Sequence, residues 1–511
     1  MLARSLWGLW VFVGAVAVAA ARPFTVVVYN VENLFDLDGR AHYEDYQPAQ
    51  YRAAHARTKL TNIAEVLARF NDGAGPDIIL FQEIEIDQTM RPPVRGELEA
   101  RVQRLGTRSA AALLAGLPLP EELADLPAEA WLLKALADRG LHGYEVVAGD
   151  EGDTPHEDGN PRAIKCVTFT RFPVRAVRQF PLQNARNLLE TELLVEGAKL
   201  HVFNTHWKSG AGDPALELVR LQNAEVLRRR LDEIFAEDPQ ADVIVGGDFN
   251  SHHNQKQRYP GMPRTALNDV LRSQGNELAI RGRDRDLYNL WFELPPEARG
   301  SDTYRGEWGT LIQLILSRGL YDHAGIQYVD NSFGVGRFRG LNVDAAGVPI
   351  RWDGGGPAGA GFSDHLPIFA HFTTVPDGRK DRWLALARPS ETDIDRAVRR
   401  VSYAQVKPET TAVDLATLPA SAQLRDGRWS GKLFRVIGES VPDRHPRVRV
   451  RGEEYEVYGV DDATRDRLYT QRESGRLSFY GELGTFKGRW QFVVRDPSWV
   501  LEAGSGSATQ P

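Results

Sequence analysis

The chain has 511 residues, 42% of them hydrophobic, which suits two or three globular domains and not a disordered or fibrous chain. A net charge of −7 argues against a uniformly basic nucleic-acid-binding surface while leaving room for a local basic patch. The single Cys166 excludes an internal disulfide framework.

At the N-terminus, Arg4 supplies a short positive segment, residues 6–20 carry no charge, and Ala19-Ala20-Ala21 before Arg22 fits a small-residue cleavage site. Residues 1–21 therefore read as a secretory signal peptide, and the mature chain as secreted or periplasmic. The competing reading is an uncleaved anchor, for which the run falls short of the ~20 residues that span a bilayer. No later segment reads as membrane-spanning.

Residues 24–36 form a β-rich run that ends in polar groups, with Asn30 and Glu32 two apart. Residues 57–70 show helical spacing of Leu60, Ile63, Val66, Leu67 and Phe70. The next strand, 77–83, closes on Gln82-Glu83. Residues 91–142 read as a helical insertion, rich in Ala, Leu, Arg and Glu and broken by prolines. Strands follow at 164–169, 188–195 and 200–206, the last running into a loop with His206, Lys208 and Ser209. A helix containing Leu216, Val219 and Leu227 leads to the strand 243–249, Val-Ile-Val-Gly-Gly-Asp-Phe, with Asn250 beyond it. On an extended chain Asp248 and Asn250 share a face, and the alternative for this stretch alone is a strand closed by an Asx turn. Downstream come a strand at 311–317, a Gly-rich loop at 354–361, and Ser363-Asp364-His365 before a last apolar strand.

After residue 375 the composition shifts. Residues 376–429 read as a linker or adapter, and 430–501 as short strands separated by Gly452, Gly475, Gly481 and Gly488, the pattern of a small closed barrel. Residues 475–482 and 486–492 resemble an OB-fold, and that resemblance implies single-stranded nucleic-acid binding through aromatic and basic side chains. Arg476, Lys487 and Trp490 are the candidate contacts, although 13 Lys/Arg against 11 Asp/Glu in this segment also suit a purely structural barrel. Residues 502–511 read as a flexible tail.

Taken in order, Asn30-x-Glu32, Gln82-Glu83, His206 at a strand end, Gly247-Asp248-x-Asn250 and Ser363-Asp364-His365 resemble the endonuclease/exonuclease/phosphatase superfamily. The resemblance covers residues 24–373 and places the catalytic domain at 22–375. It implies an α/β fold, a four-layer α/β sandwich of two packed mixed sheets flanked by helices, here followed by a small all-β OB-like barrel.

The chemistry the resemblance implies is metal-dependent phosphodiester hydrolysis. An anionic substrate needs a cation against its developing charge and a group that activates water, and carboxylate and amide donors suit Mg²⁺ or Mn²⁺. By resemblance Glu83 is the principal metal ligand with Asn30 and Glu32 beside it, and Asp364 completes the metal shell or holds its waters. Asp248 and Asn250 orient water and phosphate, His365 acts as general base or phosphate-stabilising imidazole, and His206 contacts the phosphate or assists the leaving group. Lys208 and Ser209 are candidate substrate contacts.

One position departs from the pattern. The family carries an Asp that orients the catalytic His where this chain has Ile312, so that Asp302 or Asp353 is expected to take over or the rate to fall. The reading is a secreted or periplasmic metal-dependent phosphodiesterase, foremost a nuclease with nucleic acid as its partner. Its alternatives are a phosphoesterase acting on a phospholipid or small phosphodiester, and a non-catalytic binding protein with a decayed site.

Overall fold

The computed structural model describes residues 21–87, 96–116, 119–152, 159, 161–275, 285–384 and 398–502. The segment read as a signal peptide (all but residue 21) and the one read as a flexible tail (all but residue 502) lie outside the described residues. Among the described residues no helix is long and apolar enough to cross a membrane.

In chain order the strands of the N-terminal domain are β1 (Pro23–Leu34), β2 (Ile78–Glu85), β3 (Glu145–Ala148), β4 (Ile164–Thr170), β5 (Val174–Phe180), β6 (Leu188–Val195), β7 (Ala198–His206) and β8 (Val243–Asp248). They continue with β9 (Ser273–Gln274), β10 (Leu287–Asn289), β11 (Asp302–Tyr304), β12 (Glu307–Gly309), β13 (Ile312–Leu316), β14 (Asp322–Tyr328), β15 (Gly334–Val335) and β16 (Ile368–Trp383). One mixed sheet runs β14-β16-β1-β2-β4-β3 with β15 on β16, and a second runs β5-β6-β7-β8-β13-β10-β9.

Alternation along the strands makes four layers out of these two sheets. Val26 and Val28 of β1 enter the core between the sheets, whereas Val27, Tyr29 and Val31 enter the core beneath the helices. The same holds on the other side, where Ile244 of β8 joins the inter-sheet core and Val243 and Val245 the outer one. Strands buried on both faces read as continuous apolar runs. The helices α1 (Ala53–Leu67), α2 (Glu97–Arg104), α3 (Ala110–Ala115), α4 (Glu121–Ala124) and α5 (Ala128–Asp138) lie over the first sheet, and α6 (Pro214–Glu237) covers the second through Leu227, Leu231 and Ile234. The sheets approach closely at Gly246, where a Cβ would stand 2.6 Å from Leu80 and 2.9 Å from Val28.

The C-terminal strands are β17 (Val413–Asp414), β18 (Leu433–Ser440), β19 (Arg447–Val450), β20 (Glu453–Gly459), β21 (Arg476–Phe486) and β22 (Arg489–Val494). Their order β18-β19-β20-β22-β21 closes by pairing of β18 with β21, and a helix at Asp462–Glu473 sits between β20 and β21. A closed five-stranded barrel of this order is consistent with the OB-like barrel expected. Strand β16 runs through Trp383, paired with β14 as far as Asp322, so sheet structure extends past residue 375. The adapter segment contributes β17 to the barrel sheet, and Tyr403 and Val406 pack against the barrel core.

Candidate active site

Four parallel strand ends converge to make the site. β1 and β2 pair in parallel with Asn30 opposite Gln82, and β7 and β8 pair in parallel with His206 opposite Asp248. The two sheets are joined beneath it by a buried amide bridge, Gln82 Nε2 donating to Asn204 Oδ1 at 2.7 Å. Above that bridge, Asn30 Nδ2 donates to Glu83 Oε1 at 2.9 Å and to Asp248 Oδ2 at 3.0 Å, one amide spanning both sheets.

The backbone is bent to achieve this. Glu32, Glu83 and Asn250 have φ of 52°, 65° and 47°, in the left-handed region that non-glycine residues rarely adopt. Pairing registers slip between Asn30 and Leu34 and between Phe81 and Ile84, and such bulges re-aim side chains at a strand end. Asn250 is held by its own N–H on Asp248 Oδ1 (2.9 Å) and by its amide on the Trp207 carbonyl (3.1 Å).

Glu83, His206 and Asp248 bring ligand atoms within 4.8 Å of one another. His206 Nε2 lies 3.9 Å from Glu83 Oε1 and 3.8 Å from Asp248 Oδ2, and His365 Nε2 lies 3.6 Å from Asp248 Oδ2 and 3.8 Å from Asp364 Oδ1. Burial, with Arg186 and His365 adding to it, pushes the His206 imidazole well below its usual range, so it is neutral and available as a donor. His365 is the opposite case. Burial lowers it, but Asp364, Asp248, Asp302 and Glu83 overcome that and raise it to about 9. Glu83 is raised to about 7, by burial first and by Asp364 next. Two crowded carboxylates and one neutral imidazole form a donor set that fits a divalent cation.

Glu32 and Asp364 share a cationic partner of their own. Arg351 Nη2 reaches Glu32 Oε1 at 2.9 Å and Asp364 Oδ2 at 3.5 Å. Lys208 and Ser209 lie on a rim fixed by the buried Arg220, whose Nη1 donates to the Lys208 carbonyl at 3.0 Å and the Ser209 carbonyl at 3.5 Å.

The barrel candidates are not gathered into one patch. Arg476 opens β21 and Lys487 follows its far end; a strand of that length separates them by roughly 30 Å. Trp490 packs partly on the barrel core and lines a cleft of about 630 Å³ with Arg425, His445, Arg447 and Arg489, in which Asp443, Glu454 and Glu456 balance the charge.

Of the two acids expected to serve His365, Asp353 is engaged elsewhere: its oxygens accept Gly355 N (2.9 Å) and Gly488 N (3.3 Å). Asp302 is adjacent, bridging His365 through the backbone, but its Oδ1 accepts Ser301 Oγ at 3.0 Å and Leu311 N at 3.1 Å. His365 Nδ1 is buried without a hydrogen-bond partner. Asp302 thus acts on the imidazole through space. Ile312 sits opposite Asp248 on β13, fully buried in the inter-sheet core.

Sequence reasoning missed Arg186, Lys59 and Arg351. Arg186 donates its backbone N–H to the His206 carbonyl (3.3 Å), and its charge lowers Glu83 and hydrogen-bonds Tyr43. Lys59 is buried behind Glu32, its Nζ donating to the Glu32 carbonyl at 2.6 Å. Its signal was legible, since a lysine at 59 occupies the same helical stripe as Ile63, Val66 and Phe70.

Residues 164–374 match the sequence profile of the Endonuclease/Exonuclease/phosphatase family. Among curated proteins none matches. Solved structures similar to this chain include TDP2 from C. elegans, at 15% identity over 68% of this chain and 75% of that one with a TM-score of 0.36. The human Nocturnin catalytic domain with bound sulfate is 17% identical over 69% and 94%, TM-score 0.37. A family protein from Leptotrichia buccalis C-1013-b is 13% identical over 68% and 98%, TM-score 0.38.

Proposed function

We propose that this chain is an exported metal-dependent phosphodiesterase of the endonuclease/exonuclease/phosphatase superfamily that hydrolyses nucleic-acid phosphodiester bonds, a reading supported by the family profile matched over residues 164–374. The observation that carries the reading is the meeting of Glu83, Asp248 and His206 from two sheets, tied by Asn30 and faced by His365.

Glu83 and Asp248, with His206 beside them, would hold the ion, and their carboxylate oxygens favour Mg²⁺ or Mn²⁺. When bound, it supplies a Lewis acid and a more acidic water. The chain's own residues do the rest. Asn30 fixes Glu83 and Asp248 at one spacing and Asn250 N–H occupies Asp248 Oδ1, leaving Oδ2 toward His365. A His365 that holds its proton near neutral pH places positive charge against a phosphate and has a proton to give at Nε2, which favours the phosphate-stabilising role over that of general base. Arg186 adds a second positive charge beside His206. The export half of the proposal is supported by residues 1–21, and the N-terminal residue of the mature protein tests it, with Arg22 expected.

The central test is release of products from single- and double-stranded DNA, RNA, a choline phospholipid and a small chromogenic phosphodiester, each with and without chelator. Chelator-sensitive cleavage of polynucleotide, lost in Glu83→Gln together with calorimetric Mn²⁺ binding, is expected. Cleavage of the phospholipid alone would move the substrate assignment, and Mn²⁺ binding with no hydrolysis at all would favour a decayed site.

A further inference from the structure

Residues 350–362 form an arch over the Glu32 side of the site. Its two legs are paired: Phe362 N donates to the Ile350 carbonyl at 2.9 Å, and Asp353 and Ala360 exchange backbone hydrogen bonds of 2.8 and 2.9 Å. The legs are so close at Gly361 (φ +87°) that a Cβ there would stand 1.8 Å from the Arg351 carbonyl oxygen. Helix α1 holds one flank, with His55 Nε2 on the Gly356 carbonyl at 3.0 Å and Asn62 Nδ2 on the Gly361 carbonyl at 2.7 Å. The β21–β22 turn holds the other through Gly488.

The arch delivers Arg351 and Trp352 to Glu32. Arg351 Nε and Nη2 donate to Glu32 Oε1 at 3.2 and 2.9 Å, Trp352 N donates to Oε2 at 2.8 Å, and Nη2 also stands 3.5 Å from Asp364 Oδ2. Lys59 lies beneath, its Nζ 4.7 Å from the centre of the Trp352 ring. Both oxygens of Glu32 are therefore engaged by donors of the chain itself. Two acids facing each other at a phosphodiester site are the usual makings of a cation position, and here a guanidinium stands between them.

We propose that Arg351 is the resident cation of the Glu32–Asp364 side, so that the active site takes up one divalent ion, against Glu83, Asp248 and His206, and not a pair. This rests on the metal-dependent reading above. Because Arg cannot be deprotonated in a protein, its charge is permanent, and neutralisation on this side does not vary with metal concentration.

The test is Mn²⁺ binding by calorimetry and electron paramagnetic resonance on the full chain, without substrate. Wild type and Arg351→Lys are expected to bind one ion with an uncoupled spectrum, and Arg351→Met two, with spin coupling between them. The second ion should vanish again when Asp364→Asn is added to Arg351→Met. In the otherwise wild-type chain Asp364→Asn should leave the stoichiometry at one, a comparison that survives even where Arg351→Met fails to fold. Two spin-coupled ions on the wild type, or one ion with unchanged affinity in a folded Arg351→Met, overturns the proposal while leaving the phosphodiesterase reading intact. A wild type that binds no Mn²⁺ overturns both.

Discussion

His365 gathers more negative charge than any other imidazole of the site, and its protonation is the most testable consequence of the geometry. Its value of about 9 follows from Asp364, Asp248, Asp302 and Glu83 acting against burial. In the metal-free protein an imidazole raised in this way contributes stability that is fully present below its ordinary value near 6.5 and is lost as pH rises through about 9. Asp302→Asn should move the His365 titration downward, read by NMR of the ring nitrogens under chelation. An unmoved titration would show that Asp302 is electrostatically silent. His365→Gln should lower turnover by about 10²- to 10⁴-fold, the span for a positioned acid–base group, without loss of Mn²⁺ binding. Ile312 belongs to the same argument: it is fully buried in the inter-sheet core, so an aspartate there would trade apolar packing for a carboxylate in an already acid-rich pocket.

At the scale of elements, the strand ends were legible in the sequence because β-branched runs that stop at Asn, Asp or Glu combine a period signal with an unfavourable place for a bare carboxylate. Asn30, Glu83 and Asp248 close such runs, His206 and His365 were added by the family resemblance, and the five do meet. Arg186 and Arg351 were not, since each lies on a loop, where an arginine carries no periodic signal and is ordinarily solvated. The distance from Arg476 to Lys487 was likewise invisible without strand pairing to show that they cap opposite ends of β21. Gly246 marks where legibility turns into energetics. A Cβ at this position would stand 2.6 Å from Leu80, closer than packed atoms approach. Gly246→Ala should cost about 1–3 kcal/mol, the range for overpacking a well-filled core, and chemical denaturation measures it. A neutral result would mean that the two sheets can separate locally without penalty.

Across the whole molecule the barrel is not tethered but docked. Glu482 of β21 accepts Ala345 N at 2.9 Å and Arg495 Nε at 2.6 Å, while Tyr403 OH donates to Asp344 Oδ2 at 2.7 Å with Arg495 3.8 Å away. Burial, and next Asp344, raise Glu482 to about 7. A carboxyl raised in the folded state binds its proton more tightly there than when undocked, so its contribution is present below its ordinary value near 4.3 and is lost as pH rises through about 7. Docking should therefore loosen between about pH 4 and 7, seen as faster amide exchange at residues 344–348. Exchange that stays constant after correction for intrinsic rates would assign the hold to the apolar contacts alone.

The same docking changes what the barrel can be expected to do. A recruiting module on a flexible linker would alter only the apparent KM for polynucleotides, whereas this one touches the arch that carries Arg351. Gly488 has φ +75°, and a Cβ on it would stand 2.2 Å from Gly356 N, so Gly488→Val combines backbone strain with a clash against the arch. If the barrel braces the site, this variant should lower turnover of a small chromogenic phosphodiester, a substrate too short to reach the barrel face. Its polynucleotide turnover should fall by the same factor. A loss confined to polynucleotide, with the small substrate untouched, would instead make the barrel a binding surface, and the balanced charge around Trp490 would then have to be reconciled with the steep salt dependence that phosphate binding carries.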